Sequence, residues 1–313
     1  MKRIDLNCDM GESFGNYTLG MDDGVIQHIT SANIACGWHA GDPLVMDLTV
    51  KMAVANGVGV GAHPGYPDLL GFGRRAMDCT MEEVRNYMVF QIGALQAFCT
   101  VHGTKLQHVK PHGALYLTAV DNEDVARAVA EAILSVDPGL IFVALAGIKG
   151  EVMRRIGREV GLRVAYEAFP DRAYTPEGAL QSRRLPGAVI KDPVQVSERA
   201  LRMAKEGNVV AVDGTVVPLE AQTLCVHGDN PSAIDLVKGD FLADFSVDDA
   251  PAFERWVSAE RIRINGLATS CLLAHGADAL AANRFEEASQ AATRALRLNG
   301  FLEPAASLAM RAF

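Results

Sequence analysis

The sequence predicts an α/β chain in which a parallel βα barrel is followed by an α-helical extension. Three observations carry this reading. Short apolar or β-branched runs alternate with longer helical patterns through most of the chain, reactive side chains follow directly on those runs, and the texture changes past Lys238. A chain of 313 residues has room for one large α/β domain and a small appendage, because single cores stop growing at roughly 250–300 residues.

The strand-like runs are Ile4–Leu6, Ala32–Ala35, Val58–Ala62, Val109–Lys110, Leu140–Ala146, Arg163–Glu167, Val209–Val212 and Leu224–Val226. Helical patterns separate them. Pro43–Asn56 follows Asp42 as cap, with proline in the first turn. Thr80–Val101 opens T-M-E-E, a capping box of Thr80 and Glu83. Further helices are expected at Asn122–Ser135, Lys149–Val160 and Val194–Glu206. Seven or eight such units fit a closed barrel better than an open doubly wound sheet, which would carry a Gly-rich nucleotide loop after its first strand; that loop is missing.

Residues 239–313 contain no lysine and no strand pattern, and read as Ala-rich helices with apolar residues at helical spacing, such as Phe253, Trp256 and Val257, then Phe285, Ala288, Ala292 and Leu296. The expected division is 1–238 for the barrel and 239–313 for the extension.

Composition narrows the function classes. With 29 Lys plus Arg against 38 Asp plus Glu, the net charge is −9, and no basic run offers the positive patch that nucleic acid or an anionic membrane would need. No stretch of about 18 apolar residues occurs, and the opening MKRIDLNCDMGE turns polar too early for a signal peptide, so a cytoplasmic protein is expected. The six cysteines form no CxxC pair, which argues against a zinc knuckle or a disulfide framework.

In a parallel barrel the C-terminal strand ends share one mouth, where catalysis is built. The first run leads to Asn7, Asp9 and Glu12; the second to Cys36, His39 and Asp42; the third to His63; the fourth to Lys110 and His112. Later runs lead to Glu167, Asp171 and Arg172, and to His227 and Asp229. His28, His102, His108 and His275 are left as structural.

Six blocks carry a resemblance: DLNCDMGESFG (residues 5–15), ANIACGWHAGDP (32–43), GAHPGYPDLLGFGRR (61–75), VKPHGALY (109–116), EAFPDRAYTPEGAL (167–180) and VHGDNPSA (226–233). In this order they resemble the LamB/YcsF family of 5-oxoprolinase A components. Trp38 stands where that pattern leads one to expect Phe. The resemblance implies a distorted, TIM-like βα barrel related to glycoside hydrolases and polysaccharide deacetylases. It also implies ATP-dependent opening of 5-oxo-L-proline to L-glutamate together with subunits B and C. The tail resembles the TPR-like helical-repeat domain of bacterial transcriptional activators without their DNA reader, so DNA binding does not follow.

Such chemistry needs anchors for a carboxylate, donors for an oxygen gaining charge, and a base for water. Asp9 and Glu12 are candidates for base or metal ligand, with helix capping as the plainer role for Glu12. His39, His63 and His112 suit hydrogen bonding and proton transfer; Asp9, His39 and His63 are the set a divalent ion would use, although the deacetylase H-x-x-x-H spacing is absent. Three readings are open for Lys110: it suits an oxyanion or phosphate, is buried with a lowered pKa, or pairs with a carboxylate such as Asp9 or Glu167. Asn7, Arg74, Arg75, Glu167, Asp171, Arg172, His227 and Asp229 complete the expected substrate site. Cys8 and Cys36 lie near the mouth, but Cys8 alternates with Asn7 and Asp9 and should face the barrel wall. No P-loop appears, so ATP, with its Mg2+, needs another cradle or a partner subunit. The alternatives are a metal-dependent deacetylase or amidohydrolase, and a non-catalytic interaction protein; a homo-oligomer is compatible with either.

Overall fold

In a computed structural model, which describes residues 4–227, 269–270, 272–298, 307 and 309–311, seven strands close into a parallel barrel. The first six are β1 (Asp5–Met10), β2 (Ser31–Ala35), β3 (Gly59–His63), β4 (Leu106–Val109), β5 (Ile141–Leu145) and β6 (Arg163–Ala168). The chain then makes an antiparallel ribbon, β7 (Asn208–Val210) with β8 (Val216–Pro218), before β9 (Thr223–His227) closes the ring between β1 and β6. The run Val209–Val212 is therefore not a barrel strand. Asp213-Gly214 is a hairpin signal, and Gly214 takes φ +90°, so the run folds back on itself.

The surrounding helices are α1 (Asp22–Val25), α2 (Pro43–Ala55), α3 (Met81–Val101), α4 (Gly113–Asp121), α5 (Glu123–Val136), α6 (Glu151–Glu159) and α7 (Pro193–Glu206). Asp42 accepts hydrogen bonds from the backbone N–H groups of Leu44 and Val45, and Thr80 with Glu83 forms both halves of the capping box. Helix α4, like α1 and β8, is an element the sequence pattern did not announce. It follows K-P-H-G directly, has no side-chain cap, and ends at Asn122, which caps α5.

The apolar core lies between strands and helices, not inside the barrel. Cys8, Met10, Ile34, Ala62, Val109 and Phe142 face outward into it, where they meet Met88, Ile92 and Leu95 of α3 and Val129 and Ile133 of α5. Side chains of alternate parity face the barrel axis, where the polar residues Asn7, Asn33, His108 and Thr223 are buried and share the space with Ile141, Val143 and Ala165. Trp38 stacks on Phe90 with ring centroids 5.3 Å apart and meets Tyr87 edge-on.

The chain divides into two units, Met1–Gly239 and Asp240–Phe313. In the second, residues 272–281 are helical and α8 spans Phe285–Leu298. Ala288 and Ala292 are fully buried, whereas Phe285 is half-exposed. Phe253, Trp256 and Val257 lie outside the described residues. Among the described residues, no helix is long and apolar enough to cross a membrane.

Gly61 of β3 sits opposite His108 of β4, and a Cβ there would overlap the imidazole, whose Nε2 is held 2.7 Å from Asn33 Oδ1. Gly61→Ala is expected to cost about 1–3 kcal/mol by overpacking. Gly93→Ala in α3, where no heavy atom lies within 4 Å of the new carbon, should gain about 0.5–1 kcal/mol. Urea unfolding of the two variants checks the contrast; equal midpoints would remove the steric role given to Gly61.

Candidate active site

The floor of the barrel mouth is an ion network. Lys110 Nζ lies 2.8 Å from Asp9 Oδ1, 2.8 Å from Glu167 Oε1 and 3.1 Å from Cys225 Sγ. Burial opposes the lysine charge, but Asp9, Cys225 and Glu167 together hold its pKa well above the ordinary value. Of the readings open for Lys110, pairing with Asp9 and Glu167 is the one found, and its pKa is raised where the alternative had it lowered, because the anionic partners outweigh desolvation. Burial likewise opposes the charge on Asp9, yet His63, Lys110 and His227 keep that carboxyl well below its usual range. Glu167, fully buried, is pushed up by desolvation, with Lys110 acting against the shift.

A chain of hydrogen bonds supports Asp9 from beneath. Asn33 Nδ2 donates to Asp9 Oδ1 at 2.8 Å and to Asn7 Oδ1 at 2.7 Å, and Asn7 Nδ2 donates to Thr223 Oγ1. With Oδ1 occupied by Lys110 and Asn33, Asp9 offers Oδ2 to the mouth, where His63 Nε2 stands at 3.3 Å and His227 Nε2 at 3.9 Å. His227 is oriented by Asp171, whose Oδ2 accepts from Nδ1–H at 2.7 Å. Burial alone would raise the Asp171 carboxyl; the charge and hydrogen bond of His227 outweigh it and hold it down.

Beside this network, His39 and His112 stack face to face with centroids 3.7 Å apart, and His63 meets His112 edge-on at 4.8 Å. Burial, reinforced by the neighbouring imidazoles, holds both His39 and His112 well below the ordinary histidine value, so both are neutral. Their environment is tight: Gly73, at φ +63°, passes so close that a Cβ would fall 2.7 Å from both His112 Cδ2 and His39 Cβ.

Above the floor opens a cavity of about 520 Å³, within the usual size of small-molecule sites. Asp9, Glu12, His63, Lys110, His112 and His227 line its base. Its rim is cationic, with Arg74, Arg75, Lys149, Arg172, Arg183 and Arg184. Arg74 also lies 4.8 Å over the Phe72 ring, and Arg75 pairs with Asp68. The guanidinium of Arg172 donates to the carbonyls of Ala188 and Gln181, and burial, with Arg183 nearby, lowers its pKa to about 10.

The strand ends thus bring Asp9, Glu12, His63, Lys110, His112 and His227 to one cavity, with His39 and Glu167 buried immediately behind it. Asn7 lies one layer lower, on a smaller polar space of about 170 Å³ inside the barrel, because it is two residues before Asp9 on the same face of β1. Asp171 touches His227 and does not line the cavity. Asp229 lies outside the described residues. Cys8 and Cys36 are buried in the shell. Sequence reasoning passed over Cys225, two before His227 on β9, and Asn33, paired with Asp9 in register; a polar or sulfur residue at inward parity was the available signal. It also passed over Arg183 and Arg184.

Lys110→Met removes the cation from two buried carboxyl groups and is expected to cost about 3–5 kcal/mol at neutral pH. The depressed Asp9 pKa contributes stability above the unfolded carboxylate value, and this is lost as pH falls through the folded one. Without Lys110 that carboxyl rises, so the gap between wild type and variant should narrow below about pH 4. Urea unfolding across pH measures it; a constant gap would assign the cost to packing.

Residues 4–239 match the LamB/YcsF family. A protein from Pyrococcus furiosus, named as the A component of 5-oxoprolinase, is 58% identical over 234 residues, covering 75% of this chain and 91% of its own length. Another of that name, from Natranaerobius thermophilus, is 58% identical over 236 residues, with the same shares of 75% and 91%. The crystal structure of a lactam utilization protein from Thermus thermophilus superposes with a TM-score of 0.72 at 48% identity, covering 77% of this chain and 96% of that one. The barrel, the blocks at its mouth and these matches lead to one conclusion: this chain belongs to the LamB/YcsF family.

Proposed function

We propose that this chain is the A component of an ATP-dependent 5-oxoprolinase, opening the ring of 5-oxo-L-proline to L-glutamate together with subunits B and C in the cytoplasm. The observation that carries the reading is the polarity of the cavity, an anionic and imidazole-lined floor under a rim of arginines. The names borne by the relatives support the substrate.

A five-membered lactam is a poor electrophile. ATP supplies a phosphoryl group that turns the lactam oxygen into a leaving group, and its phosphates, with their Mg2+, fit a site ringed by Arg74, Arg183 and Arg184. The same rim holds the substrate carboxylate. Lys110, a buried cation lining the base of the cavity, is the donor the proposal gives to the oxygen that gains charge. The carboxylates of Asp9 and Glu12 take the proton of the attacking water; Asp9 stays ionised, and an activated carbon needs only a weak base. His227, held by Asp171, passes a proton to the departing ring nitrogen. One water thus adds to the carbon and the carbon–nitrogen bond breaks, leaving an amine and an acyl phosphate, which a second water hydrolyses to the carboxylate and free phosphate.

Residues 1–238 carry this chemistry in the proposal, and residues 239–313 are an appended helical domain. In an assembly reconstituted with subunits B and C, 5-oxoproline should drive ADP release and glutamate formation. Asp9→Asn, with its fold verified by circular dichroism, should lower kcat by about 10²–10⁴-fold; undiminished turnover would remove the role given to Asp9. A chain ending at residue 238 should retain full turnover, and loss of activity with an intact barrel would make the extension part of the enzyme.

A further inference from the structure

His63 and His112 face each other in a way that two neutral imidazoles do not sustain. His63 donates Nδ1–H to the carbonyl oxygen of Lys110 at 2.7 Å, so its lone pair is on Nε2. His112 donates Nε2–H to the carbonyl oxygen of Phe72 at 2.8 Å, so its lone pair is on Nδ1. Those two bare nitrogens lie 2.9 Å apart. Asp9 Oδ2 stands 3.3 Å from the first, and Glu12 Oε1 stands 3.9 Å from the second. The two imidazole nitrogens and a Glu12 carboxylate oxygen lie within 4.8 Å of one another, and Asp9 flanks them at His63.

His39 adds an independent sign. It is fully buried, neither ring nitrogen has a hydrogen-bond partner, and its Nε2 is 3.9 Å from the same Glu12 oxygen. An orphaned buried imidazole is costly. A single proton shared by His63 and His112 would relieve their contact and leave His39 as it stands.

We propose that His63 Nε2, His112 Nδ1 and the carboxylate of Glu12 form a site for a divalent transition-metal ion of the zinc class, with the Asp9 carboxylate beside it at His63. Around a tetrahedral ion with bonds of roughly 2.0–2.1 Å, neighbouring ligand atoms are about 3.3 Å apart. The His63–His112 and His112–Glu12 separations of 2.9 and 3.9 Å bracket that value. The rings of His63 and His112 are inclined at 87°, so their planes cross and one ion can lie in both. His39 is a positioning residue: its ring is parallel to His112 within 7°, which keeps it from sharing the ion in plane, and its Nε2 faces the Glu12 carboxylate at 3.9 Å. The two backbone carbonyls that fix the tautomers of His63 and His112 are the outer partners that ligating histidines need. Imidazole with carboxylate favours zinc, cobalt or manganese, a different chemistry from the Mg2+ that accompanies ATP. An ion held there lowers the pKa of a bound water, which suits weakly basic carboxylates.

The test is binding by the full chain, independent of any substrate. After chelation and gel filtration, the protein is titrated with Zn2+ and with Co2+ alone. Expected are about one bound equivalent, a raised melting temperature, and visible Co2+ bands of nitrogen and oxygen coordination. His63→Ala and His112→Ala should each weaken Zn2+ binding by about 100-fold or more, and His39→Ala by about 10-fold. Each variant's circular dichroism is recorded, and His63→Gln and His112→Gln, nearer in size, cover the case of an alanine variant that does not fold. Less than about a tenth of an equivalent bound by the wild type overturns the proposal. So does binding unchanged in the folded variants. An intense sulfur-to-cobalt band overturns it too, because the ion would then sit with Asp9, Cys225 and His227.

Discussion

The buried ammonium of Lys110 between Asp9 and Glu167 is the constraint around which the barrel is arranged. Taking one cation and two carboxyl groups out of water costs several kcal/mol per ion unless geometry and further hydrogen bonds return it. The return comes from below: Asn33 donates to Asp9 and Asn7, Asn7 donates to Thr223, and Thr223 donates to Asp5. Barrel interiors are ordinarily filled with branched apolar residues. Here most of that filling moves outward, to the shell between strands and helices, and polar side chains of β1, β2, β4 and β9 form a column along the axis whose upper end is the site. Cost and function therefore share the same side chains.

Period-two alternation made much of this legible. Asp9 follows Asn7 at equal parity on β1, and His227 follows Cys225 on β9, so one inward residue on a strand fixes the direction of the next. The strand ends of β3 and β4 delivered His63, Lys110 and His112 for the same reason. Depth was not legible. Parity says that Asn7 points inward, but only the register of β1 against β2 and β9 sets it a layer beneath the mouth. Val209–Val212 has strand composition and gives no sign of which sheet it joins; the turn at Asp213-Gly214 decides that. Helix α4 escaped notice because it is short, lacks a cap of its own and is apolar on most sides. Asp171 carries the charge of a substrate anchor, yet its partner is His227, a contact across 56 residues that no local pattern encodes.

Charge is graded along the cavity. Its floor holds Asp9 and Glu12 near Lys110, while arginines from three separate stretches, 74–75, 172 and 183–184, stand at the rim. A ligand carrying its negative charge at one end and a polarisable carbonyl at the other has only one favourable orientation in such a field. The carbonyl is turned down to the lysine and imidazoles, and the anionic end stays among the guanidinium groups. Arg172 contributes differently from its neighbours, because its donors are committed to the carbonyls of Ala188 and Gln181. It fixes the loop that carries Arg183 and Arg184 and leaves recognition to them.

Backbone conformation sets the state of the imidazoles. Phe72 holds φ +54°, a left-handed conformation that costs a bulky residue about 1–3 kcal/mol. That conformation turns its carbonyl toward His112 Nε2 at 2.8 Å, while its ring meets His39 and His112 edge-on. Gly73 follows at φ +63° with no room for a side chain, so the turn cannot relax by moving away from the rings. The carbonyl of Lys110 does the same for His63 from the opposite side, at a residue already fixed by two carboxyl groups. Both tautomers are thus written into backbone positions that the ion network and one strained turn hold in place. The lone pairs of His63 and His112 are forced to face each other by the same forces that build the floor.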